Sequence, residues 1–74
     1  MGVATIDEGA SAVGALLAAA DDFAERARVQ EACRDRSRPG TAVFHQHAHS
    51  ATLWRMAEAQ LRMQASGLGP TPGA

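Results

Sequence analysis

Apolar side chains recur along the first half of this chain at alternating steps of three and four: Val13, Leu16, Ala20, Phe23 and Ala27. That spacing sets them on one face of a helix, with Ile6 and Leu17 flanking the stripe. Further on, Trp54, Ala57, Leu61, Ala65 and Leu68 keep the same helical spacing. Between the two stripes "RSRPG" interrupts the pattern, because Pro39 biases Arg38 away from helical angles and Gly40 suits a turn. The pattern predicts an all-α fold, an antiparallel two-helix hairpin with one helix near residues 6 to 36, a Pro-Gly turn at 37–41 and a second helix near 42 to 66.

The ends of these elements carry their own signals. Thr5 and Glu8 have the spacing of a capping box, in which each side chain bonds the other's backbone N–H, so residues 1–4 are a lead-in. Gly67 ends the second stripe, and Pro70 and Pro72 make residues 67–74 a tail that cannot continue the helix and is expected to be flexible. Thr41, after Gly40, can cap a second helix of about 25 residues, roughly 36 Å at 1.5 Å per residue. The alternative is a short extended segment over "TAVFH", which would need a second chain to pair with. Helix is the favoured reading. Three ion pairs are expected on solvated helix faces: Asp22 with Arg26, Arg28 with Glu31, and Glu58 with Arg62.

Composition limits what such a hairpin can bury. Hydrophobic residues make up 46% of the chain, yet half of them are alanine, and Leu, Ile, Val and Phe together fill only 12 of 74 positions. A short chain with few large side chains orders itself by close packing of alanine-rich helices, and it gains buried surface by joining another copy or a partner. A two-fold dimer forming a four-helix bundle is the expected assembly, with Val13, Leu16, Phe23, Trp54 and Leu61 at the contact. Gly9 and Gly14 lie inside the helical pattern with no preceding strand, so they form no phosphate loop.

Charge narrows the partners. The formal net charge is -1, which argues against a general nucleic-acid binder. All seven positive residues are arginine. Arg34, Arg36 and Arg38 crowd into the hinge, where they complement the negative end of the first helix and could also grip an anion such as a phosphate. The longest small apolar run, Ala10 to Ala20, is eleven residues and too short to span a membrane. Asp7 and Glu8 stand where a secretory signal would be positive. With a lone Cys33 that cannot form an internal disulfide, the expected location is cytoplasmic.

The one dense cluster of chemistry is "FHQHAHS", which holds all three histidines. On a strand His45, His47 and His49 would point to one side, as a three-nitrogen metal site requires. On a helix His45 and His49 share one face, while His47 turns away to join Ala51 and Trp54. The helical pair could hold Zn, Ni or Cu, but no Asp or Glu lies between Asp35 and Glu58 to support it. "PGTAVFHQH" resembles the opening of the first cupin motif, and the resemblance would make His45 and His47 metal ligands on a strand of a barrel. It covers nine of the 74 residues, and Thr52 to Arg55 stand where that family's glutamate ligand would fall, so no barrel is expected.

No nucleophile, base and oxyanion set is evident, and neither is a small-molecule substrate. The sequence therefore favours a small non-catalytic interaction module, an accessory, adaptor or regulatory subunit that needs no cofactor. A metal-binding protein using the histidines is the first alternative. A regulator touching nucleic acid through the hinge arginines is the second.

Overall fold

A computed structural model of the chain describes residues 4–68, with side chains from residue 11 onward. Two helices, α1 (Ala4–Arg36) and α2 (Ala42–Leu68), pack against each other as an all-α hairpin about 57 × 27 × 12 Å, with no strand among the described residues. The thickness is that of a single helix, so the molecule is a flat two-helix layer with two broad faces.

The turn explains why the chain reverses where it does. Ser37 tightens the end of α1: its N–H bonds the Arg34 carbonyl at 3.0 Å and its hydroxyl donates to the Cys33 carbonyl at 2.8 Å. Arg38 to Thr41 then forms a tight turn closed by the Thr41 N–H on the Arg38 carbonyl at 3.3 Å. Pro39 sits at its second position and Gly40, at φ +83°, at its third, which is the residue choice of a type II turn. Thr41 caps α2 at once, its hydroxyl oxygen accepting from the Phe44 N–H at 3.2 Å while its carbonyl accepts from the His45 N–H at 3.1 Å.

That cap places residues 42–49 in α2, so the extended alternative for "TAVFH", and with it the cupin-like strand, does not occur. α2 runs on through Gly67 to Leu68, past the expected end at 66. Leu68, assigned above to the packed stripe, is exposed. α1 is already helical at Ala4, ahead of the expected start. Ala4, the last residue of the expected lead-in 1–4, is thus helical, while residues 1–3, the side chains of the Thr5 and Glu8 capping box and the tail beyond Leu68 lie outside the described residues.

The core consists of alanine. Ala20, Ala24 and Ala27 of α1 and Ala51 and Ala65 of α2 are buried, and no large side chain among the described residues is fully enclosed. Ala20 and Ala27, like Ala51 and Ala65, are spaced by heptads, a period that keeps one seam facing the partner helix along its length. Methyl-sized groups let the two backbones approach closely. The same small groups leave Val13, Leu16, Phe23, Trp54 and Leu61 only half-buried at the margin of the seam.

Candidate functional site

The larger side chains separate onto two sides of the alanine seam. On one side Phe23 and Trp54 meet across the helices with ring centroids 5.2 Å apart at 52°, and the Arg26 guanidinium lies 5.1 Å from the indole centre. One heptad nearer the turn, His47 Nδ1 and Gln30 Oε1 are 2.7 Å apart. Both pairs join residues whose numbers sum to 77, and the same antiparallel register sets Leu16 opposite Leu61. A hollow of about 310 Å³ opens beside this row, lined by Ser50, Leu53, Trp54 and Ala57.

On the other side runs a ladder of alternating charges. Glu31 takes two hydrogen bonds from Arg55, at 3.0 and 2.9 Å, in a bidentate pair between the helices. Arg55 also reaches Glu58 at 3.0 Å, Glu58 accepts from Arg62 at 2.9 Å, and Arg62 crosses back to Asp21 at 3.0 Å. Five residues thus form one connected network, with Glu58 at its centre and its side chain only 16% exposed. Hydrogen bonds from Arg62 and then Arg55 hold the Glu58 carboxyl below its ordinary range, and Arg55 does the same for Glu31. Arg55 and Arg62 are correspondingly held more firmly protonated.

This ladder corrects the sequence-based pairing of Arg28 with Glu31. Arg28 bonds Glu25 at 2.6 Å on the outer surface, while Glu31 turns inward to Arg55. Asp22 and Arg26 do approach, at 3.9 Å, and Glu58 with Arg62 pairs as spaced. Pairing of Glu31 with Arg55 and Asp21 with Arg62 was not readable from either helix alone. The available signal was that Arg55, Glu58 and Arg62 follow one another at steps of three and four beside the apolar stripe.

The histidines divide as a helix requires. His45 and His49 are exposed one turn apart, and His47 is half-buried against Gln30. His45 meets Phe44 edge-on at 5.6 Å. Among the described residues no three His, Cys, Asp or Glu side chains come together as a metal site would need. Cys33 is half-buried, with the Arg36 guanidinium 3.5 Å from its sulfur.

The hinge arginines do not converge on one point. Arg34 bonds Asp35 at 3.0 Å, Arg36 turns to Cys33, and Arg38 is exposed at the turn. A shallow open groove of about 340 Å³ near Arg34 and Arg55 lies over the charged ladder, where Arg55 is already engaged by Glu31 and Glu58. No helix among the described residues is long and apolar enough to cross a membrane. Neither the protein-family models nor the curated proteins nor the solved structures compared with this chain give a match.

Proposed function

We propose that this chain is a non-catalytic protein–protein interaction module that works by packing its apolar surface against another protein chain, as an accessory, adaptor or regulatory subunit. The observation that carries this reading is the inversion of its side-chain sizes. Five alanines are buried, while Leu17, Val29, Val43, Leu53, Met56, Met63 and Leu68 are exposed. A chain that encloses small apolar groups and leaves these larger ones in water gains further burial energy when they are covered.

Association with a second copy or with another protein follows from the same surface, and the lone Cys33 supports a cytoplasmic setting for it. Sedimentation velocity between about 1 and 100 µM, the range of a modest interface, is the direct test. Reversible association is the expected result. A monomer at every concentration that also cross-links to no protein in its native source would overturn the proposal.

A further inference from the structure

α2 is charged only at Arg55, Glu58 and Arg62, and all three are turned into the ladder with α1. Its outer side, about 40 Å long at 1.5 Å per residue, therefore carries no carboxylate, arginine or lysine, and His45 and His49 are the exposed titratable side chains of α2 outside the ladder. Val43, Leu53, Met56, Met63 and Leu68 stand more than half exposed along α2. The outer side of α1 is the opposite, studded with Asp22, Glu25, Arg28, Asp35 and Arg36. Charges that keep a helix back in water are present on one helix of the pair and missing from the other.

We infer that the back of α2 is the docking surface, and that its occupant is the α2 of a second copy, laid antiparallel about a two-fold axis near the level of residue 55. This inference rests on the association reading above and specifies its partner. A surface without carboxylates or guanidinium groups meets its own copy without repulsion between them, whereas on the back of α1 the charged groups nearest such an axis would meet their like. Orientation follows from the hinge. Parallel docking would bring the Arg34, Arg36 and Arg38 clusters of two copies side by side, while antiparallel docking holds them at opposite ends and opposes the helix dipoles.

Shape agrees with this register. An axis at the midpoint of Ala42–Leu68 sets Leu53 of one copy over Ala57 of the other, where the hollow lined by Ser50, Leu53, Trp54 and Ala57 can receive it. A strip of this length and one helix diameter in width removes on the order of 1,000 Å² in total, at the lower limit for a specific interface, so the dimer is expected to exchange at micromolar concentrations.

Sedimentation of the full chain and of point variants tests this. Leu53→Glu should weaken self-association at least tenfold and keep the helical circular dichroism, Val29→Glu on the back of α1 should leave both unchanged, and wild-type association should barely respond to salt. An equimolar mixture of Leu53→Glu and Ala57→Arg chains should recover a heterodimer, because the new charges face each other across the axis. Unaltered association of Leu53→Glu, equal loss in Val29→Glu, or no recovery in the mixture would overturn the α2 interface. A monomeric wild type would overturn the second copy as occupant, and the association reading would fall with it only if no other chain cross-links.

Discussion

Phe23 and Trp54 touch across the hairpin at 5.2 Å, and Arg26 covers the same indole at 5.1 Å, making the one aromatic contact between the two described helices. This cluster contributes dispersion and cation–π attraction at the margin of the alanine seam, where water still reaches part of the ring. Trp54→Ala is expected to cost about 2 kcal/mol, less than the loss from a fully enclosed tryptophan. Urea denaturation measures it, and an unchanged midpoint would show that the indole adds nothing to the hairpin.

The alanine seam is expected to reject larger groups. Ala27 is fully enclosed, so Ala27→Leu must push the helices apart and should destabilise by about 1–3 kcal/mol despite the added apolar surface. Ala12→Leu, at an exposed helical position, should fall within about 0.5 kcal/mol of wild type. Equal melting temperatures for the two variants would contradict close packing at the seam.

Acid should loosen the charged ladder before neutral pH has any effect. The Glu31 and Glu58 carboxyls are held below their ordinary range in the folded chain. Their contribution is therefore complete above the unfolded carboxylate pKa and is lost as pH falls through the lowered folded values. Thermal melts should be flat in this contribution from pH 7 to about 5 and decline below about 4. Glu58→Gln should lower the melting temperature at pH 7 and flatten the acid limb; a parallel drop at every pH would remove Glu58 as its source.

The turn offers two independent substitutions. Thr41→Ala removes the cap on Phe44 N–H and should cost about 1 kcal/mol. Gly40→Ala meets no neighbouring atom within 4 Å, yet at φ +83° it should still cost about 1 kcal/mol through backbone strain. Denaturant midpoints that leave either variant at wild-type stability would contradict the corresponding geometry.

Metal removal should leave the fold intact. His45 and His49 share a helix face, and no third ligand among the described residues joins them, so any divalent ion they take should bind weakly and exchange freely. EDTA is expected to leave circular dichroism and sedimentation unchanged, and the His45→Ala, His49→Ala double variant to remain folded. Stoichiometric zinc or copper in untagged protein, with dissociation on chelation, would make these histidines structural ligands.

The hairpin and its turn were legible in the sequence because both depend on local signals: heptad-like spacing of Val13 to Ala27, and Pro39 with Gly40 at the break. The helical state of residues 42–49 was legible through Thr41, whose capping role needs only its neighbours. The cross-helix bonds of Glu31 and Asp21 were not, since a carboxylate three residues from an arginine on its own helix looks paired until the facing helix is in place. The half-buried state of Trp54 was also hidden. Its stripe holds from Trp54 to Ala65 and fails at Leu68, and the alanines beside it, not the indole, occupy the closest approach.

The turn also determines how copies of this chain can combine. Joining α1 and α2 into one straight rod would require helical backbone through residues 37–41, where Pro39 has no N–H to donate and Gly40 sits at positive φ. Exchange of arms through a continuous helical rod is therefore disfavoured, and each copy is expected to close on itself before it meets another. Assembly is then second order in folded hairpins: folding rates should be independent of protein concentration, and dilution should release intact hairpins rather than unfolded chains.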